Sequence, residues 1–208
     1  MYIIGLDEVG RGALAGPVTV AAVCIPVRLH LPVVPAKAGI HASERLKLKD
    51  SKKLSPKQRE AWFLYFKNHP RIEYAVARVY PRVIERMNIS AAANRAAQQA
   101  YKKLITNCKL SVANSKVFLD GGLYLANRNW QMTNVCSART VVKGDEKIPA
   151  VAMASIVAKV TRDRAMVRLA KKYAQYGFDI HKGYGTKMHS VAIRKYGPCK
   201  MHRLTFLS

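Results

Sequence analysis

Residues 5–18 read Gly-Leu-Asp-Glu-Val-Gly-Arg-Gly-Ala-Leu-Ala-Gly-Pro-Val, and the strongest structural signals of the chain are concentrated there. The apolar segment Tyr2–Leu6 leads into this stretch and predicts a short strand that stops at Asp7 and Glu8. The glycines that follow predict a turn. The β-branched segment Val18–Pro26 then predicts a second strand, and the short spacing favours a hairpin-like pair. Two acids are therefore expected at the end of the first strand.

Further along the chain, strand and helix signals alternate. Ser55, Pro56 and Gln58 form the pattern of a capped helix start. The further predicted strands are Tyr74–Val79, Lys116–Leu119 and Arg139–Val142, and the further predicted helices are Ala91–Ile105, Met153–Tyr173 and Thr186–Lys195. This order predicts an α/β fold with a mixed five-stranded central sheet flanked by helices and a small C-terminal helical part. We expect a single domain over 1–208, with 28–47 as a surface loop insertion because it has no hydrophobic period.

The charge balance points to a polyanionic partner. Among 208 residues, 36 Lys and Arg face 12 Asp and Glu, a net charge of +24, which excludes an acidic binding surface and favours nucleic acid. No apolar run approaches the ~20 residues that span a bilayer, so we expect no membrane partner. The four cysteines form no C-x-x-C pair, which argues against a zinc site. The sequence does not begin with a signal-peptide pattern, and a cytoplasmic location is expected.

Acids at three predicted strand ends suggest a metal site. Asp7 and Glu8 follow one strand, Asp120 ends a second and Asp145 follows a third. Functional groups gather beyond strand ends in α/β sheets, and clustered carboxylates are the ligands of Mg²⁺ or Mn²⁺. Taken one at a time, each acid also fits an ordinary turn or cap residue, and that alternative stays open on these residues alone.

Five motifs resemble those of the type 2 ribonuclease H family, in particular its bacterial HII branch. They follow the order of the family from residue 2 to residue 206, and the insertion at 28–47 is the one clear departure. The motifs are the stretch 5–18, Asp50–Ser55, Asp120-Gly121, the block of Lys143–Asp145 with Ala152–Lys159 and Arg162-Asp163, and the closing block of His181–Thr186 with His189, His202-Arg203 and Phe206.

The resemblance implies an RNase H-like fold and an endoribonuclease that cuts RNA in RNA–DNA hybrids and on the 5′ side of single ribonucleotides in duplex DNA. Such an enzyme uses two Mg²⁺ or Mn²⁺ ions and leaves 3′-hydroxyl and 5′-phosphate ends, in ribonucleotide and primer removal. The implied catalytic and metal-binding residues are Asp7, Glu8, Asp120 and Asp145. The implied substrate-binding residues are Gly10, Arg11, Gly12, Ser51, Lys52, Lys53 and Tyr184. We expect a monomer.

Two other functions compete with this one. A nuclease or transposase of the same fold would act on DNA, and the Gly10–Gly12 motif together with Tyr184 argues against it. A non-catalytic RNA-binding protein of ribosomal type fits the charge and size, but does not explain acids at three strand ends. Asp163 is expected to be a structural acid paired with a buried arginine or a backbone amide. His181, His189 and His202 fit no zinc spacing, and we expect them to hydrogen-bond or to contact phosphate.

Overall fold

A computed structural model describes residues 1–29, 48, 51–107, 115–125 and 137–207. The strands are β1 (Tyr2–Val9), β2 (Val18–Pro26), β3 (Glu73–Val79), β4 (Ser115–Asp120) and β5 (Ser137–Val141). The helices are α1 (Pro56–Asn68), α2 (Pro81–Met87), α3 (Ile89–Asn107), α4 (Gly144–Lys147), α5 (Pro149–Lys172), α6 (Phe178–His181) and α7 (Lys187–Tyr196). Almost all of the predicted insertion, residues 30–47, lies outside the described residues.

The five strands form one mixed sheet in the order β3-β2-β1-β4-β5. β1 and β2 pair antiparallel, as expected for the hairpin, and β2 also pairs antiparallel with β3. β1 runs parallel to β4, and β4 runs parallel to β5. The predicted five-stranded α/β architecture is therefore confirmed.

The predicted end of the first strand is wrong in one respect. β1 continues to Val9, so Asp7 and Glu8 lie inside the strand, opposite Ala21 and Val20 of β2. Pairing with the long apolar strand β2 satisfies their backbone groups, and this gain is independent of the side chains. On the other edge, the ladder between β1 and β4 ends at Leu6. The two acids thus lie just past the end of the parallel part of the sheet.

Helices cover both faces of the sheet. On one face, α2 and α3 pack their apolar residues, including an alanine stripe, against Ile4 and Leu6 of β1. On the other face, α1 and α5 bury Trp62, Phe66 and Met153 against the sheet. α1 begins at the predicted capping box, in which Ser55 and Gln58 exchange side chain-to-backbone hydrogen bonds of 3.2 and 2.9 Å.

Helix α5 approaches β1 very closely because Gly5 has no side chain. A Cβ atom on Gly5 would lie 2.2 Å from the carbonyl carbon of Ala150. This close approach lets the first turns of α5 run alongside β1 toward Asp7. The C-terminal half of α5 runs on beyond the sheet, where Met166, Tyr176 and Phe178 form a separate core with α7. This is the predicted small C-terminal helical part.

Several short elements escape the sequence patterns. α2, α4 and α6 span 7, 4 and 4 residues, too few for a helical period to be visible. α5 starts four residues before its predicted start, because Pro149 occupies the first helical position. No helix of the described part is long and apolar enough to cross a membrane.

Candidate active site

Three of the four predicted acids meet at the ends of the parallel strands. Oxygen atoms of Asp7, Glu8 and Asp120 all lie within 4.8 Å of one another. The parallel pairing of β1 with β4 produces this meeting, since both strands deliver their acids at the same edge. The backbone amide of Glu8 donates to Asp7 Oδ1 at 2.7 Å, and the amide of Gly144 donates to Asp120 Oδ1 at 2.8 Å.

The three carboxylates are crowded, and those of Asp7 and Glu8 are largely shielded from solvent. Asp7 is only 5% exposed. Burial raises the pKa of the Asp7 carboxyl well above its usual range, and the charges of Glu8 and Asp120 raise it further. Burial also raises the pKa of Glu8, against the lowering effect of the Arg11 guanidinium. Without a cation, the full charge of this group is therefore unfavourable.

The donor set fits a hard divalent cation. The Oε2 atom of Glu8 is buried and has no hydrogen-bond partner within the described structure, while Oε1 lies 3.4 Å from Arg11 Nη1. A buried carboxylate oxygen without a partner is costly, and a metal ion would supply the missing contact. Oxygen-only ligands from three carboxylates favour Mg²⁺ or Mn²⁺ over Zn²⁺.

Asp145, the fourth predicted ligand, is not one of the three clustered acids. It lies buried in the first turn of α4, which begins three residues after the end of β5. The preceding amide, that of Gly144, is the one that binds Asp120, so α4 is tied to the acid group through its backbone. The structure thus places Asp145 next to the cluster, and its role as a ligand stays a prediction.

A cleft of about 190 Å³ opens over the acids. Its wall contains three of the predicted substrate contacts, Ser51, Lys52 and Tyr184. Three further residues line it and were not predicted as site residues: Val9, Ser155 and Lys159. The four-residue spacing of Ser155 and Lys159 places both on one face of α5. Ser155 Oγ lies 2.7 Å from Ser51 Oγ. The predicted substrate-binding residue Lys53 lies outside this wall, and its Nζ pairs with Glu146 at 2.7 Å.

The predicted substrate-sensing glycines lie in the segment Gly10–Pro17, which we call the glycine loop. Gly10 has a φ of +87°, a conformation that favours glycine. The side chain of Arg11 turns back to Glu8 and also donates to Ser90 Oγ at 3.0 Å. Arg11 is thereby linked to the acid group as well as to the loop.

Two fully buried arginines hold the glycine loop, and sequence reasoning did not assign them this role. Arg203 donates to the carbonyls of Gly10 and Arg11, both at 2.7 Å, and to that of Gly16 at 2.9 Å. Arg162 donates to the carbonyls of Ala15, Pro17 and Lys182 at 3.2, 3.0 and 3.0 Å. No ion pair with an acid is present for either arginine in the described part of the chain. Both arginines are far from the glycine loop in the sequence, and their neighbouring residues give no sign of this packing.

Asp163 and the histidines fall outside the acid group. Asp163 pairs with Lys159 at 3.0 Å, so the expected buried-arginine or amide partner is wrong; the i,i+4 spacing on α5 brings the lysine closer. The three predicted histidines lie together, with the rings of His181 and His189 stacked at 4.3 Å and the Nε2 atoms of His189 and His202 3.0 Å apart. Their hydrogen-bonding role is confirmed.

The raised pKa of Asp7 predicts that removing its charge stabilises the metal-free protein. The folded state holds this proton more tightly than the unfolded state, so its contribution to stability is complete below the unfolded pKa and is lost as pH rises through the folded pKa. Asp7→Asn should therefore raise Tm at pH 8 in EDTA by about 2–4 °C or more, the shift that ~1 kcal/mol gives in a protein of this size. Thermal unfolding from pH 4 to pH 8 measures it, and the difference should shrink toward pH 4.

With added Mg²⁺ or Mn²⁺, the wild type should become more stable than Asp7→Asn. A ligand that binds only the folded state raises its stability, and the Asn variant has lost one ligand. A metal-free Asp7→Asn variant that is less stable than the wild type at pH 8 would contradict the electrostatic account.

A five-stranded mixed sheet with clustered carboxylates beyond its parallel strands, next to a glycine loop in a strongly basic protein, defines a nucleic-acid hydrolase of the ribonuclease H type. The family model for Ribonuclease HII matches residues 4–208. The chain belongs to the ribonuclease HII family, whose members are type 2 ribonucleases H, endonucleases that act on RNA–DNA hybrids.

Individual relatives agree with this assignment. Ribonuclease HII of Caldicellulosiruptor bescii is 41% identical over 206 residues, which cover 99% of this chain and 86% of the relative. Among solved structures, ribonuclease H2 from Pyrococcus horikoshii superposes with a TM-score of 0.67 at 24% identity, covering 99% and 93% of the two chains. Bst-RNase HIII in complex with Mn²⁺ gives a TM-score of 0.66 at 18% identity, over 99% and 67%. These two likenesses concern the fold.

Proposed function

We propose that this endonuclease cuts on the 5′ side of single ribonucleotides embedded in duplex DNA, in addition to RNA in hybrids, by two-metal-ion in-line hydrolysis. The observation that carries the proposal is one cleft in which the acids Asp7, Glu8 and Asp120 face Tyr184, with the glycine loop beside it. Its products would be a 3′-hydroxyl and a 5′-phosphate, and its cell role the removal of misincorporated ribonucleotides and RNA primers. We also propose that the protein is a monomer and is located in the cytoplasm.

Divalent ions held by Asp7, Glu8 and Asp120, with Asp145 as the proposed fourth ligand, would activate a water nucleophile and stabilise the leaving 3′ oxygen. Mg²⁺ or Mn²⁺ would serve, and the Mn²⁺ complex of Bst-RNase HIII, which has the same fold, supports this choice. The carboxylates would balance the charge of the ions, and Arg11 keeps Glu8 in place through their 3.4 Å contact.

Other residues in the cleft and beside it would position the substrate. Glycines 10 and 12 let backbone groups approach the 2′-hydroxyl, the group that distinguishes RNA from DNA. Tyr184 would stack on the sugar on the DNA side of the ribonucleotide. Ser51, Lys52 and Lys53 would contact phosphates, and Lys159 adds a positive charge on the same wall.

A duplex with one central ribonucleotide tests the proposal, with an all-DNA duplex of the same sequence as the control. We expect a single cut on the 5′ side of the ribonucleotide, only with Mg²⁺ or Mn²⁺, and no cut in the control. Comparable cleavage of the all-DNA duplex would instead support the DNA nuclease, and binding without any metal-dependent cleavage would support the RNA-binding protein.

Tyr184→Ala should reduce cleavage at a single embedded ribonucleotide while metal binding is unchanged. Stacking of this kind is worth roughly 1–3 kcal/mol, or about 5–150-fold in kcat/KM. The measurement pairs cleavage kinetics with Mn²⁺ titration. Parallel losses of metal affinity and cleavage would count against the proposed stacking.

A basic groove next to the cleft would be a second surface for the duplex. It lies between α1 and α5, and the Lys159–Asp163 ion pair separates it from the acids. Arg168 and Lys171 are exposed on its wall, and neither forms an ion pair in the described structure. Between Val160 and Lys171, the helix spans about 16 Å, or about five base pairs of a duplex.

Arg168→Gln combined with Lys171→Gln should weaken binding to a long duplex and flatten its salt dependence. Each phosphate contact contributes about 0.9 to the slope of log affinity against log salt, so two contacts remove up to about 1.8. Arg95→Gln with Lys102→Gln, an equal charge change on α3, is the matched control. Equal slopes for the two double variants would exclude the groove as a duplex contact.

A further inference from the structure

The tyrosine turn, residues Lys182–Thr186, is stapled to the glycine loop by the backbone and by one buried side chain. The amide of Ala15 donates to the carbonyl of Gly183 at 3.1 Å. Gly183 must lack a side chain, because a Cβ there would lie 2.5 Å from the Ala15 oxygen. Arg162 joins the same two segments through its hydrogen bonds to the carbonyls of Ala15 and Lys182, and its guanidinium lies 5.3 Å from the centre of the Tyr184 ring.

A chain of buried histidines reaches the same turn from the other side. The amide of Cys199 donates to His202 Nδ1 at 2.9 Å, which leaves Nε2 as the donor of a neutral His202. That Nε2 lies 3.0 Å from His189 Nε2, which must then accept. His189 Nδ1 therefore carries the hydrogen and donates to the carbonyl of Tyr184 at 3.0 Å.

The surroundings keep both rings neutral. His189 is fully buried and His202 is 2% exposed. Burial lowers the pKa of His189 to about 4 and also lowers the pKa of His202. At neutral pH the backbone thus selects one tautomer for each ring, and the chain of donors has one direction. The carbonyl of Tyr184 also accepts from the amide of Thr186 at 2.8 Å, so two donors fix this carbonyl.

We infer that Arg162 and the His202–His189 chain are positioning residues that fix Tyr184 at a set distance from the glycine loop, and that this distance sets the preference for a single ribonucleotide over a uniform hybrid. The inference rests on the proposed function, in which the loop senses the ribose and the tyrosine senses the following deoxyribose. The glycine loop and Tyr184 would contact adjacent nucleotides, so their spacing must stay constant to within a fraction of an ångström for both to act on one junction. A uniform hybrid presents no such junction, so its cleavage depends less on that spacing.

A pair of substitutions at His189 separates positioning from general stability. In His189→Asn, the amide nitrogen lies where Nδ1 was, so the hydrogen bond to the Tyr184 carbonyl can be kept while the contact to His202 is lost. In His189→Gln, the side-chain amide reaches toward His202 and the hydrogen bond to Tyr184 is lost. Both variants leave a similar gap in the core, and thermal unfolding establishes how closely their stabilities match.

The measured quantity is the ratio of kcat/KM for a duplex with one ribonucleotide to kcat/KM for an RNA–DNA hybrid. We expect His189→Gln to lower this ratio about 5–10-fold, the effect of one hydrogen bond, and His189→Asn to stay within about twofold of the wild type. Mn²⁺ affinity should be unchanged in both. Arg162→Lys keeps the charge but loses the planar guanidinium. A folded Arg162→Lys variant should lower the ratio more than His189→Gln does.

Equal ratios in the Gln and Asn variants, or an unchanged ratio in a folded Arg162→Lys variant, would overturn the inference. Tyr184→Ala distinguishes this failure from failure of the proposed function. If Tyr184→Ala lowers the ratio while the two His189 variants behave alike, the function stands and the positioning role is wrong. If Tyr184→Ala leaves the ratio unchanged, the tyrosine does not sense the junction and the positioning inference is wrong, whereas cleavage of the one-ribonucleotide duplex by the wild type still decides the proposed function.

Discussion

Replacing Asp120 by Asn should abolish cleavage and leave the fold intact. Asp120 is one of three carboxylates whose oxygens lie within 4.8 Å of one another, and the amide removes its charge at almost equal size. Loss of a metal ligand forfeits several kcal/mol of charge stabilisation in the transition state, and about 4 kcal/mol corresponds to a 10³-fold loss of kcat. Asp7→Asn should have the same effect on cleavage, although we expect it to stabilise the metal-free protein. Single-turnover cleavage of a duplex with one ribonucleotide measures both.

The matched control is Asp179→Asn, the same chemical change at an exposed position in α6. It should cleave at the rate of the wild type. Circular dichroism and Tm report whether the Asp120 variant is folded. Activity within threefold of the wild type in either the Asp7 or the Asp120 variant would show that the metal site has been placed on the wrong residues.

Replacing Arg203 by Ala should destabilise the protein by about 3–5 kcal/mol. The side chain is fully buried, and its four hydrogen bonds end on the carbonyls of Gly10, Arg11 and Gly16. Truncation leaves three carbonyls without their donor and opens a cavity, and each buried unsatisfied group costs about 1–3 kcal/mol. Since proteins are stable by only about 5–15 kcal/mol, this is a large fraction of the total. Denaturant unfolding at equilibrium gives the value.

Two further variants serve as controls for the Arg203→Ala measurement. Arg194→Ala removes an exposed arginine of α7 and should change stability by less than about 0.5 kcal/mol. Arg203→Lys keeps the charge but not the fork, so its stability should fall between those of the wild type and the Ala variant. A loss below about 1 kcal/mol in Arg203→Ala would mean that the glycine loop keeps its structure without the guanidinium.

Local patterns were sufficient where an element is long or carries a strong cap. Ser55 and Gln58 begin α1 as predicted, and the alanine stripe of α3 and the apolar run of β2 are found where their periods place them. The family motifs likewise led to Asp7, Glu8, Asp120 and Tyr184, all of which line one cleft. The sequence analysis placed the end of β1 too early. Charged side chains are not typical of a strand, but the backbone of Asp7 and Glu8 continues to pair with β2.

The residue types of the site are determined by the sequence itself: a basic chain with few acids, two of them adjacent at a strand, and glycines where the backbone must turn. Only the tertiary structure decided which of these residues meet. The parallel pairing of β1 with β4 joins Asp7 to Asp120 across more than a hundred residues, whereas Asp145 stays beside the group on α4. It also decided that Arg162, Arg203 and His189 are buried around the glycine loop and the tyrosine turn, since their partners are backbone carbonyls. Every residue has such a carbonyl, so no pattern of side chains along the sequence can predict which carbonyl these side chains bind.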